Sequence, residues 1–359
     1  MKKICFVTFD MCVVGGVEQV TKALTAALAD KYEVHLISFL HTSTLKYELD
    51  SRVKYTYFET DALRISELRR KHNETLYKYF EENEIDVALI QGNYSGYIAY
   101  RAKNKGKTKI IFCDHGAIVN QLRDIKTTLA RILASRFSDK TVTLTERNLK
   151  DYKRLFLMPA KKLDYAYNWI DLTQPHSEQY NTASKRLVSA GRFSREKGFD
   201  LLIKAAAPVL KRHSDWSLDI FGDGEFFEEI KAMAAEYGVA DKVNFLGMRS
   251  DLRERYGDYA MYILPSYHEG LPLVLLEAKL NRLPIVSFDI TTGPSEIVED
   301  GVSGILIKPY DTEKMSEAIC SLIENDDKRK EMSDNAYRNI EKFSKQAIFD
   351  KWCSIIESV

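Results

Sequence analysis

No two of the five cysteines of this 359-residue chain (Cys5, Cys12, Cys113, Cys320, Cys353) form a Cys-x-x-Cys pair. That removes the spacing of a zinc ribbon or dithiol redox centre and leaves reduced, partly buried thiols of the kind found in the cytosol. No apolar run approaches the ~20 residues of a membrane span. The opening Met1-Lys2-Lys3-Ile4-Cys5-Phe6-Val7 superficially resembles a leader. Asp10 interrupts it, however, and Gly15-Gly16 leads into a helical pattern, so it reads as a first β-strand. There is no His-Glu-x-x-His, no Walker A loop, and no two aspartates stand two residues apart, so the Asp-x-Asp pattern of Mg²⁺ or Mn²⁺ sites is missing. No nucleophile elbow with a Ser-His-Asp set is visible. Phe221-Gly222-Asp223-Gly224-Glu225 begins a dinucleotide fingerprint but does not complete it, because Phe227 stands where the third glycine belongs. It reads equally as a plain turn or as a turn that lets a nucleotide base approach.

Net charge is also missing: 52 Lys and Arg balance 52 Asp and Glu. The balance is uneven along the chain. Residues 1–170 carry 28 basic against 20 acidic residues, and the remainder 24 against 32. A basic half suits an anionic partner, although drift in surface charge gives the same count. Hydrophobic residues make up 45% and charged residues 29%, the profile of a soluble globular protein long enough for two domains.

Short apolar runs alternate with amphipathic stretches. Strands are expected at 3–9, 33–39, 53–57, 85–90, 108–113 and 138–143, then at 186–190, 216–221, 243–246, 260–264, 284–288 and 304–307. Helical patterns at 17–29, 66–82, 199–212, 225–237 and 312–324 lie between them. Buried strands alternating with helices imply parallel sheets covered on both faces, here two α/β, doubly wound domains of six strands each. The boundary is expected in the polar stretch 171–185, which contains Pro175. Such sheets bind ligands beyond the carboxyl ends of their strands, so two facing domains would enclose a cleft.

Each candidate functional loop follows an expected strand. The segment Ser266-Tyr267-His268-Glu269-Gly270-Leu271-Pro272-Leu273-Val274-Leu275-Leu276-Glu277-Ala278 sets two carboxylates around a helix start. Pro272 suits a first helical position, where its missing N–H costs nothing. The N–H groups of such a start favour an anion such as phosphate, and the flanking carboxylates accept hydrogen bonds from hydroxyls, a combination suited to a nucleotide-sugar. In Gly191-Arg192-Phe193-Ser194-Arg195-Glu196-Lys197-Gly198, Arg192 and Lys197 suit a diphosphate whose charge develops as it leaves; solvated surface cations are the plainer reading. Gly15-Gly16 reads as a site for close approach or as a tight turn. His115, in Asp114-His115-Gly116, reads as a ligand contact or a structural histidine.

These four segments occur in the order seen in glycosyltransferase family 4, and the sequence resembles that family over nearly its whole length. The resemblance implies a GT-B fold, two facing doubly wound Rossmann-like domains with a cleft between them. Residues 1–170 would form the acceptor-side domain and 171–342 the nucleotide-sugar-binding domain. The tail 343–359, with Phe343, Ser344, Lys345 and Trp352, would pack back on the first. The implied reaction is a retaining, metal-independent transfer of a hexose or N-acetylhexosamine from a UDP-sugar, with no separate cofactor. By the same resemblance, Glu277 would hold the ribose hydroxyls. Glu269 and the backbone of Gly270, Leu271, Pro272 and Leu273 would hold the transferred sugar and nearby phosphate. Arg192 and Lys197 would neutralise the diphosphate, with Gly222 and Met248 on the nucleotide side. His115 would sit beside the sugar, and Gly15 and Gly16 would admit diphosphate or acceptor.

Two departures from the family pattern concern substrate choice. Asn168-Trp169-Ile170-Asp171 places an indole where glycine is common, at the expected cleft edge, and Gly293-Pro294-Ser295-Glu296 replaces Gly-Gly-x-x-Glu. The second variant resembles bacterial capsule, O-antigen and cell-wall polysaccharide transferases. Expected partners are therefore a nucleotide-sugar donor and a glycan or lipid-linked acceptor, with no nucleic acid. Arg101, Lys103, Lys105, Lys107 and Lys109, with Arg123, Lys126, Arg131 and Arg136, could rest on an anionic membrane at the cytoplasmic face or serve a phosphate-rich acceptor. The rivals are a nucleotide-sugar epimerase, which needs no acceptor, an NAD-dependent oxidoreductase, and a non-catalytic glycan- or nucleotide-binding module, against which both glutamates, Arg192 and Lys197 argue.

Overall fold

A computed structural model describes residues 1–13, 15–100, 107–174, 176–177, 179–249 and 251–359. Arg101, Lys103, Lys105 and Pro175 lie outside the described residues. The chain divides into two compact units, Met1–Asn168 with Gln346–Val359, and Trp169–Lys345.

The first unit is built on a parallel sheet of β1 (Lys3–Asp10), β2 (Glu33–Leu40), β3 (Lys54–Glu59), β4 (Val87–Gln91), β5 (Lys109–Asp114), β6 (Lys140–Thr143) and β7 (Leu163–Tyr165). They lie in the order β3-β2-β1-β4-β5-β6-β7. The would-be leader is thus a central strand: Ile4, Cys5, Phe6 and Val7 expose no surface, as a parallel sheet covered on both faces requires. The second unit repeats the plan with β8 (Arg186–Ala190), β9 (Ser217–Phe221), β10 (Val243–Phe245), β11 (Met261–Leu264), β12 (Ile285–Phe288) and β13 (Gly304–Ile307), ordered β10-β9-β8-β11-β12-β13. The first sheet therefore has seven strands rather than the six expected. Only Leu163, Asp164 and Tyr165 make β7, too short a run to show a period.

In each sheet the strand order reverses beside the first strand, between β1 and β4 and between β8 and β11. Crossover helices leave in opposite directions there, so the loops part and open a crevice at the carboxyl edge. The chain returns to the first unit in the helix Lys345–Glu357, which buries Ile348, Trp352, Cys353, Ile355 and Ile356. Glu357 accepts from Lys2 Nζ at 2.9 Å and from Tyr32 Oη at 2.8 Å, and Lys351 Nζ reaches Asp164 Oδ1 at 2.6 Å. All five cysteines are free; only Cys320 is not fully buried. Among the described residues, no helix is long and apolar enough to cross a membrane.

Candidate functional site

At the switch point of the second sheet, three loops are fastened by their own glycines. Gly198 has φ 66°, and a Cβ there would lie 2.2 Å from the Pro265 carbonyl oxygen. Gly222 has φ 134°, and its Cβ would lie 1.8 Å from the Gly191 oxygen; Gly293, at φ 100°, would strike Pro272 Cδ at 2.6 Å. The loops after β8, β9, β11 and β12 therefore touch backbone to backbone, a contact only glycine permits. Phe193, buried among Phe199, Phe227 and Phe245, anchors the loop after β8 in the core. Phe227 thus fills core space, and Gly222-Asp223-Gly224 is a turn against this anchor: Phe193 N donates to the Asp223 carbonyl at 2.9 Å. Gly198→Ala is expected to lower stability by about 1–3 kcal/mol from backbone strain, with a further cost from the clash at Pro265. A urea melt that leaves the midpoint unchanged contradicts this packing.

The anchored loop delivers Lys197. Its Nζ lies 2.8 and 3.0 Å from the two Glu269 carboxylate oxygens, and Ser266 Oγ donates to Oε1 at 2.7 Å. The Glu269 side chain is almost fully buried, at 8% exposure, so the pair is screened little by solvent. Thr292 Oγ1 donates to the Glu269 carbonyl at 2.6 Å and fixes its backbone. The helix Leu273–Leu280 starts directly after this segment. Pro272 occupies the N-cap rather than the expected first helical position, with φ −71° and ψ 110°. The N–H groups of Leu273 and Val274 consequently open the helix, lack intrahelical acceptors and suit an anion.

Glu277 lies one turn further along. Arg253 Nε donates to its Oε1 at 2.6 Å and Tyr256 Oη to its Oε2 at 3.3 Å, while Arg253 Nη1 reaches Gln174 Oε1 at 2.9 Å. Burial pushes the Glu277 carboxyl above its ordinary range, against the pull of Arg253 and Tyr256. Sequence reasoning missed Arg253, Tyr256 and Ser266, since only the fold brings the first two to Glu277. Arg192 is exposed at the start of its loop. Met248 is 80% exposed, beside Gly247, whose carbonyl accepts from Gly222 N at 2.9 Å.

In the first unit, a cavity of about 440 Å³ opens at the switch point between β1 and β4, lined by Asp10, Glu18, Gln91, Asn93, Asp114 and His115 among others. Gly15 caps the helix Gly16–Leu28 in an extended conformation, and a Cβ on Gly16 would meet nothing within 4 Å. Gly16 thus leaves open space, whereas a Cβ on Gly15 would lie 2.5 Å from Glu18 Oε2. His115 Nε2 lies 2.7 Å from Gln91 Oε1. A carboxamide oxygen only accepts, so the imidazole carries its proton on Nε2 and keeps the Nδ1 lone pair.

The His115 loop is held from below. Asp114 accepts from Gly116 N at 3.0 Å, from Tyr152 Oη at 2.7 Å and from Arg131 Nη2 at 3.4 Å, and its Oδ2 lies 2.7 Å from Arg131 Nε in an ion pair with no exposed side-chain surface. Asn148 bridges the far side, donating to the Gly116 carbonyl at 2.8 Å and accepting from Ile118 N at 3.1 Å. Arg131 is therefore a structural cation, not a surface one as its sequence context suggested.

Burial pushes His115 down to about 4, with Asp114 opposing. Below its ordinary value of about 6.5 the unfolded chain takes up a proton that the folded chain refuses. Stability should therefore fall as pH drops from about 6.5 to about 4, on the order of 1–2 kcal/mol for a partly exposed ring. His115→Gln should flatten that part of the pH profile of urea midpoints; an unchanged slope assigns it elsewhere.

Among the described residues, one group brings metal-ligand atoms together: those of His213, Cys320 and Glu324 lie within 4.8 Å of one another. Glu324 already pairs with Arg212 at 2.9 Å. The group stands at the ends of the helices Phe199–Arg212 and Thr312–Ile323, hence at the opposite sheet edge from Lys197 and Glu269.

Two Rossmann-like units in tandem, with paired charges and a helix start at the second switch point, define a GT-B type transferase. The comparisons agree. The model of Glycosyltransferase Family 4 matches residues 14–174, and that of Glycosyl transferases group 1 matches residues 173–339. The chain belongs to this glycosyltransferase family. An uncharacterized glycosyltransferase of Haemophilus influenzae is 27% identical over 99% of this chain and 100% of its own. The amylovoran biosynthesis glycosyltransferase of Erwinia amylovora is 25% identical over 95% and 96%. A Campylobacter jejuni enzyme named as a diphospho-undecaprenol 4-alpha-N-acetylgalactosaminyltransferase is 27% identical over 94% and 93%. Among solved structures, sucrose-phosphate synthase of Thermosynechococcus elongatus superposes with a TM-score of 0.86 at 16% identity, covering 99% and 98% of the two chains. HepE of Anabaena, in complex with UDP, gives 0.82 at 18% identity over 100% of both chains.

Proposed function

We propose that the chain is a retaining glycosyltransferase that moves a hexose or N-acetylhexosamine from a UDP-sugar to a glycan or lipid-linked glycan of a bacterial surface polysaccharide, without a metal ion. The observation that carries this reading is the Lys197–Glu269 pair beside the start of the helix Leu273–Leu280. When the bond between the sugar's C1 and the diphosphate oxygen breaks, negative charge grows on the departing phosphate. Lys197, Arg192 and the N–H groups of Leu273 and Val274 supply positive charge for it, the service a divalent cation gives elsewhere. Glu269 holds the sugar hydroxyls and Lys197 together, and Glu277 accepts from the ribose hydroxyls, sharing its carboxylate with Arg253.

The first unit's cavity takes the acceptor, with neutral His115 as its hydrogen-bonding wall. The relative that acts on a diphospho-undecaprenol-linked sugar supports a lipid-linked acceptor, and the basic first half supports an anionic one. A panel of nucleotide-sugars, scored by thermal shift and by slow hydrolysis in mass spectrometry, should single out a UDP-sugar, and NMR of the product should show retained anomeric configuration. Isomerised sugar without any acceptor would favour an epimerase; an inverted product would remove the retaining mechanism.

A further inference from the structure

The helix Ile125–Phe137 wears its polarity inside out. It buries Ala130, Arg131, Ala134 and Ser135 and turns Ile125, 78% exposed, and Leu129, 52% exposed, toward solvent. Val119 and Leu122 in the preceding turn, and Phe137 at its end, are exposed as well. A surface helix in water normally does the reverse. The helix cannot roll to hide these side chains, because that would pull Arg131 from its buried pair with Asp114. Its start is well formed, with Asp124 Oδ1 accepting from Lys126 N at 3.1 Å and Thr127 N at 3.2 Å.

The charges around this face are one-sided. Arg123, Lys126 and Arg136 are exposed beside it, while Asp124, the acid in the same stretch, is engaged by the helix cap and by Thr127 Oγ1 at 2.7 Å. Gln121 and Thr127, interleaved with Leu122 and Ile125, line the first unit's cavity. An apolar face rimmed by cations matches a bilayer with anionic headgroups, where insertion and charge attraction act together.

We propose that residues 119–137 dock the first unit on an anionic lipid surface, with Ile125 and Leu129 entering the headgroup boundary and Arg123, Lys126 and Arg136 meeting lipid phosphates. This rests on the reading of the adjoining cavity as the seat of a lipid-linked acceptor. The test is sedimentation of the full chain with vesicles of phosphatidylglycerol and phosphatidylcholine, or of phosphatidylcholine alone. Binding to the anionic vesicles is expected, weakening as salt rises, and dropping about tenfold or more in the double variant Ile125→Ser/Leu129→Ser. Arg123→Ser/Lys126→Ser should weaken binding to the anionic vesicles only. Melting temperature and UDP binding should stay as in the unaltered chain, which separates failure of docking from failure of the donor site. No sedimentation with anionic vesicles at low salt would overturn the proposal, as would unchanged binding by Ile125→Ser/Leu129→Ser. Light scattering that shows a dimer which the same variant converts to monomer would assign the face to a second copy instead.

Discussion

Lys197→Met should lower kcat for sugar transfer by about 10²- to 10³-fold, the usual loss when one preorganised positive group is removed from developing oxyanion charge. The geometry gives two reasons. Lys197 contacts both Glu269 oxygens, so its removal takes away a charge and leaves a nearly buried carboxylate with Ser266 as its remaining side-chain donor. Its loop is held in place, because Phe193 sits in the core and Gly198 lies against Pro265. Lys197→Arg should recover only part of the rate, since a planar fork does not reproduce a compact ammonium. Steady-state kinetics on the donor identified by the panel check this. A variant that retains more than about a tenth of the wild-type kcat would show that Lys197 acts structurally.

The second large effect concerns stability. Asp114→Ala should cost about 3–5 kcal/mol, because it leaves the Arg131 guanidinium buried without its carboxylate. Tyr152 Oη and Gly116 N lose their acceptor in the same step, so the His115 loop should loosen as well. The double variant Asp114→Ala/Arg131→Met should recover much of the stability, because no charge is then left unpaired. Urea denaturation of the three proteins measures this. If Asp114→Ala costs less than about 1 kcal/mol, the pair is not the support assigned to it.

Much of this molecule is legible in its sequence because parallel sheets advertise themselves. Strands such as Ile4 to Val7 are apolar throughout, and the glycine-rich loops that follow them mark the carboxyl edges where sites form. Glu269, Lys197 and Glu277 were visible because their spacing brackets a helix start and a strand-ending loop. What stayed hidden is what tertiary structure supplies. Arg253 comes from 24 residues before Glu277 and meets it only through folding. Gln91 ends β4 and sets the His115 tautomer from the neighbouring strand. Arg131 read as a surface cation among Arg123, Lys126 and Arg136, because nothing in the sequence says that this helix turns Arg131 inward and Ile125 and Leu129 outward.

The most direct measurement of the central claim is calorimetric titration of UDP into the full chain, Glu277→Gln and Lys197→Met. UDP should bind the unaltered chain, and each variant should weaken it by about tenfold or more, since each loses a charged hydrogen-bond partner of the ligand. Absence of UDP binding to the unaltered chain, or equal affinity in all three, would contradict the assignment of the Glu269–Glu277 segment as the donor site.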